Sequence, residues 1–210
     1  MRLADIERSY GPQVDVHWRA FPLIPDERPG RLTTAETCAG RAKVGGQEPR
    51  AQFVPPRPGT PLPTSSVPAL TAAKAAERQG RRAGAAFRDE VFVAYFRDNQ
   101  DIGRADVLWR LAERIGLDMA RFQADCTSGE PHRAVLRDYA EAVAWFGVSA
   151  LPTVVFEEKV SLVGAVPVEH YALLVDWLLA GEPGGMIPLD GSTLAGLGAG
   201  QSPVDQARAR

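Results

Sequence analysis

Between Ser65 and Phe146 the apolar residues recur at helical spacing without a break, and on either side they do not. That change of period is the strongest constraint in this 210-residue chain. A stretch of 3.6-residue periodicity cannot serve as a sheet, so a helical block must stand between parts of another kind. Inside it, Phe87, Val91 and Tyr95 lie at i, i+4 and i+8, widened by Phe92 and Phe96. Ser65 or Ser66, Asp106 and Asp118 are candidate caps, and Gly80, Gly116 and Gly147 are stops. The last helix of the block is expected from about Pro131 to Phe146.

The flanks have other patterns. Leu3, Ile6 and Tyr10 predict a short opening helix stopped at Gly11-Pro12. Over residues 13–21, Val14, Val16 and Trp18 alternate with Asp15, His17 and Arg19, which predicts a strand. Residues 22–64 lose periodicity, and seven prolines fall from Pro49 to Pro68, so this segment is expected to be a long, partly polyproline-like loop. Thr153–Phe156 and Val160–Val163 predict a hairpin about Glu157-Glu158-Lys159. An amphipathic helix should follow, with Val168, Tyr171, Leu174, Val175 and Leu178 inward. A Gly- and Pro-rich tail, expected to be disordered, runs over 181–210.

Charge and composition narrow the function. The net charge of −2 and pI near 6.0 argue against a phosphate-binding groove, so no nucleic acid is expected. No apolar run reaches the 18 or so residues of a membrane span. Residues 1–10 lack the apolar core and cleavage site of a signal peptide, so the expected location is cytoplasmic. Cys38 and Cys126 are far apart and form neither a CxxC nor a zinc spacing, and His17, His132 and His170 are scattered. No metal and no cofactor are expected. Cys38 reads as an incidental loop cysteine, Cys126 as a partly buried one, and His17 as a solvated residue. Arg81-Arg82 reads as a solvated helix start. Trp18, Trp109, Trp145 and Trp177 are expected as core anchors.

Several motifs, in order, carry a resemblance. His17-Trp18-Arg19-Ala20-Phe21-Pro22-Leu23, Pro25-Asp26, Pro29-Gly30, the run Ala72 to Gly80, Ala94-Tyr95-Phe96, Asp101-Ile102 and Gly116-Leu117-Asp118 are followed by Gly147-Val148 through Pro152-Thr153 and then Gly164-Ala165. Over roughly residues 1–180 the chain resembles the DsbA-like thioredoxin-fold proteins, above all the FrnE or polyketide-type branch. The resemblance implies an α/β, thioredoxin-like domain over 1–180 with a helical insertion at about 65–146. It implies a thiol–disulfide oxidoreductase acting on a thiol- or disulfide-bearing protein, or on a small thiol such as glutathione. It also implies that Leu151–Pro152 is cis and that Leu151 and Pro152 contact substrate, the backbone beside the proline pairing with an extended peptide.

The family's first strand and its CPxC-type motif have no counterpart here, and Met1 aligns within the back half of the family's first helix. The chain is therefore expected to be a shortened reading of a longer protein, without catalytic residues of its own. Two alternatives stay open. One is a glutathione-dependent isomerase like the 2-hydroxychromene-2-carboxylate isomerases. The other is a non-catalytic peptide-binding module of the same fold.

Overall fold

The structure is a computed structural model that describes residues 2–182. In chain order the elements are α1 (Arg2–Tyr10), α2 (Ala35–Gln47), α3 (Val67–Glu77), α4 (Arg81–Phe96), α5 (Ala105–Arg114), α6 (Met119–Thr127), α7 (Glu130–Ala144), β1 (Thr153–Phe156), β2 (Val160–Val163) and α8 (Val168–Leu179). They fall into two compact units. One takes the chain up to Trp18 and again from Ala140 onward, and the other is Arg19–Tyr139. The tail expected over 181–210 lies, beyond Glu182, outside the described residues.

In the first unit, β1 and β2 form an antiparallel hairpin with Thr153 opposite Val163 and Phe156 opposite Val160. Glu157 and Glu158 turn it with positive φ (48° and 56°). Helices α1 and α8 close over one face. Ile6, Val160, Leu162, Tyr171, Leu174, Val175 and Trp177 make the core, with Leu3, Tyr10, Val154 and Phe156 packed against it. Polar contacts help fix α1. The Arg2 guanidinium donates to the Val166 carbonyl at 2.7 Å, and the Tyr10 hydroxyl donates to Asp176 at 2.8 Å.

The second unit is built around α3, whose Ala69, Ala72, Ala73, Ala75 and Ala76 are all buried. Such a slim helix lets its neighbours come close. A Cβ on Gly84 of α4 would stand 2.9 Å from both Cα and Cβ of Glu77, so the crossing of α3 and α4 requires glycine there. Phe87, Leu111, Phe122 and Val135 complete the core. One ion pair is enclosed in this unit. Asp138 Oδ2 accepts from Lys74 Nζ at 2.7 Å and from the Ala20 N–H at 2.8 Å. This ties the extended entry segment to α3 and α7.

Three expectations are corrected. Residues 14–21 are not a strand. Their exposure alternates, with Val14, Val16 and Trp18 half-buried and Asp15, His17 and Arg19 exposed. Among the described residues, however, the sheet consists of β1 and β2. Alternation sets which side chains are covered, whereas a strand also needs a ladder. Residues 22–64 are not all loop, since 35–47 form α2 and Pro49–Ala51 a 3₁₀ turn. Thr34 caps α2 by accepting from the Thr37 N–H at 3.1 Å. Arg41 lies over the Tyr95 ring at 4.8 Å and donates to Asn99 at 2.7 Å, while Phe53 packs on Phe92 and Phe96. Asp106 is not a cap, because α5 starts after Arg104 and Asp106 sits in its first turn, paired with Arg104 and Arg110. Asp118 does cap α6, accepting from the Arg121 N–H at 3.0 Å.

Candidate functional site

The candidate site lies where the segment after α7 enters β1. Gly147 ends the helix with φ +60°, a conformation glycine adopts without a Cβ penalty. The Val148 N–H donates to the Ala142 carbonyl at 2.9 Å, and the Thr153 hydroxyl donates to the Ala150 carbonyl at 2.7 Å. The Leu151–Pro152 bond is cis, and both residues are exposed. The Gly164 N–H donates to the Pro152 carbonyl at 2.7 Å.

That last bond sets the polarity of the hairpin. A donor one residue past Val163 reaching an acceptor one residue before Thr153 makes Thr153–Val163 a non-hydrogen-bonded pair. Val154 and Phe156 therefore bond to β2, and the N–H and C=O groups of Thr153 and Val155 point the other way. Among the described residues neither has a backbone partner there. The site is thus an open strand edge directly after Leu151 and Pro152. Leu151 is 40% and Trp145 61% exposed. Trp145 is consequently not a core anchor. It follows the last turn of α7, where the helix has already left the covered surface.

The thiols belong to the other unit. Cys38 (on α2) and Cys126 (on α6) are free cysteines of the 19–139 unit, whereas Leu151 and Pro152 belong to the other. Burial, and then the charge of Asp125, push the Cys126 thiol up to about 11. Alkylation requires thiolate. Cys126 is expected to react slowly with iodoacetamide at pH 8 and about tenfold faster per pH unit until pH approaches 11. Mass spectrometry of the quenched protein measures this, and a rate flat from pH 8 to 10 would contradict it. His17 pairs with Asp15 at 2.9 Å on the exposed side of its segment. Among the described residues no group of His, Cys, Asp and Glu could hold a metal ion, and no helix is long and apolar enough to cross a membrane. Which residues of β1 face the open side had no sequence signal, because that follows from the hairpin's bonding phase.

A family profile described as Thioredoxin matches residues 60–171, just over half of the chain. The chain belongs to the thioredoxin family. A solved structure from Nitrosomonas europaea, described as a "putative protein disulfide isomerase", superposes on this thioredoxin-family chain with a TM-score of 0.67. It covers 85% of this chain and 89% of its own at 16% identity, a likeness of fold. The fold is thioredoxin-like, rich in helix, with a small two-stranded sheet among the described residues. Among curated relatives, the ClpXP adapter protein SpxH of Halalkalibacterium halodurans is 32% identical over 129 residues, 59% of this chain and 42% of SpxH. The chain thus spans less than half the length of that relative. YwbO of Bacillus subtilis is 28% identical over 167 residues, covering 73% of this chain and 78% of YwbO.

Proposed function

We propose that this thioredoxin-family chain belongs to the DsbA-like, FrnE or polyketide-type branch, and that it binds an extended segment of a cysteine-bearing protein along β1. The single observation behind this reading is the open edge. Thr153 and Val155 each offer one N–H and one C=O in line, directly after exposed Leu151 and Pro152. An added strand would satisfy those groups by β-augmentation, and Leu151 would meet a side chain of the peptide. Thiol–disulfide exchange needs a thiolate with a second thiol to resolve the mixed disulfide. The 210-residue chain carries no CxxC, and its raised Cys126 thiol suits neither role.

A second reading, a peptide-binding module without chemistry, is favoured by the two cysteines themselves, which are free and stand on different helices with no CxxC partner in sequence. Relatives named as ClpXP adapters are compatible with it. Both readings share one test. An extended ten-residue peptide is titrated into the ¹⁵N-labelled chain, and so is the same peptide with alternate backbone N-methylation. The expected result is amide shifts centred on Thr153 and Val155 with the first peptide only. Val155→Pro, which removes a donor facing away from β2, should abolish them. Shifts elsewhere, or equal binding of the methylated peptide, would discard the site. The chain should also show no insulin-disulfide reduction above that of an unrelated two-cysteine protein. Turnover that disappears on Cys38→Ser or Cys126→Ser would place the chemistry on those thiols instead.

A further inference from the structure

Helix α2 is joined to the rest of the 19–139 unit by little besides one side chain. None of its residues is buried, and Gly40, Gly45 and Gly46 weaken it from within. Its backbone bonds stay within the helix and its caps. Beyond the Thr34 cap, Arg41 is, among the described residues, the only α2 side chain with a hydrogen bond. Gly45 also runs close to Phe53, where a Cβ would stand 3.1 Å from the Phe53 Cβ.

The place that receives Arg41 is more complete than the helix that delivers it. The guanidinium lies 4.8 Å from the Tyr95 ring centroid and 5.2 Å from that of Phe96. Its Nη1 donates to Asn99 Oδ1 at 2.7 Å and to the Tyr95 carbonyl at 3.3 Å. At the end of α4 the carbonyls of Val93, Ala94 and Phe96 already accept from the N–H groups of Arg97, Gln100 and Val54. The Tyr95 carbonyl is left for a donor from another element, at a helix C-terminus, where positive charge is favoured. Asn99 holds φ at +53°, and its Nδ2 donates to the Val54 carbonyl at 3.2 Å, so its amide is oriented without help from Arg41. Among the described residues no carboxylate pairs with Arg41. Its charge is met by ring faces and neutral oxygens alone.

We propose that the end of α4 is a guanidinium-binding site, that Arg41 fills it in cis, and that an arginine side chain of a partner protein displaces Arg41 and frees α2. Two ring faces, an unshared carbonyl and a fixed amide suit any guanidinium that reaches them. They select for charge, because a neutral side chain of the same planar shape gains little from the ring faces. Arg41 holds the site through proximity, and a helix without a buried residue adds little to that hold. The inference is independent of the β1 edge, since every residue in it belongs to the 19–139 unit.

The test compares the full 210-residue chain with its Arg41→Gln variant. The probes are N-acetyl-argininamide and N-acetyl-citrullinamide, which share a shape and differ in charge. Amide hydrogen exchange reads the hold on α2, and ¹⁵N shifts read binding. In Arg41→Gln, the amides of residues 38–47 are expected to exchange at least about 10-fold faster, while those of α3 to α7 are unchanged. The arginine probe should shift the amides of residues 95–100 in this variant, and the citrulline probe should not. Adding Asn99→Gly, which tolerates the positive φ, should weaken that binding about 2- to 10-fold. The parent chain should bind the arginine probe at least about 3-fold more weakly than Arg41→Gln, because Arg41 must leave first, and its α2 amides should exchange faster as the probe is added. Unchanged α2 exchange in Arg41→Gln would overturn the proposal, as would a rise spread evenly over α3 to α7. Equal binding of the two probes, no binding of either to Arg41→Gln, or equal affinity of parent and variant for the arginine probe would overturn it too.

Discussion

Replacing Asp138 with alanine is expected to destabilise the helical unit by about 3–5 kcal/mol, the usual cost of removing one member of a buried ion pair. Both partners are about nine-tenths buried, so water screens the pair little. Two groups lose their acceptor at once, the Lys74 ammonium and the Ala20 N–H. Lys74 keeps Glu77 at 3.3 Å, but Glu77 is more exposed and holds it less firmly. Urea unfolding followed by far-UV circular dichroism gives the loss as a lower midpoint at unchanged slope. The double variant Lys74→Met/Asp138→Leu should recover most of it, since an apolar pair of similar volume replaces a buried ion pair nearly neutrally. The Ala20 N–H would still lack its acceptor and keep recovery incomplete. A single variant within 1 kcal/mol of the parent would mean that the pair is solvated.

Phe122→Ala is expected to cost about 3–5 kcal/mol as well, by a different route. Phe122 is fully buried and stands between two other rings, Phe87 and Trp109, each with its centroid 5.5 Å away. Truncation removes the transfer energy of the ring and leaves a hole that three packed helices cannot close. Trp109 loses its edge-on neighbour, so its fluorescence should shift to the red before global unfolding begins. Phe122→Leu should cost clearly less, because it retains most of the volume. Equal losses for the two variants would show that ring geometry, rather than volume, is what the site requires.

The helices from α3 to α7 and the hairpin were legible because each carries its own period and punctuation. Phe87, Val91 and Tyr95 mark a face of α4, Asp118 caps α6, and Thr153–Phe156 is β-branched and aromatic between turn residues. Helix α2 was hidden by Gly40, Gly45 and Gly46 and by the absence of any buried residue, so it had no apolar stripe to read. It is held by Arg41 and capped by Thr34, and neither signal stands out in a polar segment. Residues 14–21 misled in the opposite sense. Their alternation is real in burial, yet a ladder depends on a neighbouring strand that no local pattern specifies. Leu151 and Pro152 could be singled out from their motif. The bonding phase that leaves Thr153 and Val155 open could not, because it is fixed by Gly164, eleven residues further along.

The alanine-rich α3 has a consequence for uniqueness. Alanine has no side-chain torsion to freeze, so burying Ala69, Ala72, Ala73, Ala75 and Ala76 costs almost no rotamer entropy. A rod coated evenly with methyl groups also looks nearly the same from every direction, and its neighbours could accept it rotated or slid by a residue. Lys74 breaks that degeneracy. It is the one charged side chain among those methyls, and it has a fixed address at Asp138. In the Lys74→Met/Asp138→Leu chain, most of the stability should therefore return while the amide resonances of α3 broaden, the sign of a helix exchanging between azimuths. Such broadening would mark the ion pair as less an adhesive than a key that admits α3 in a single orientation.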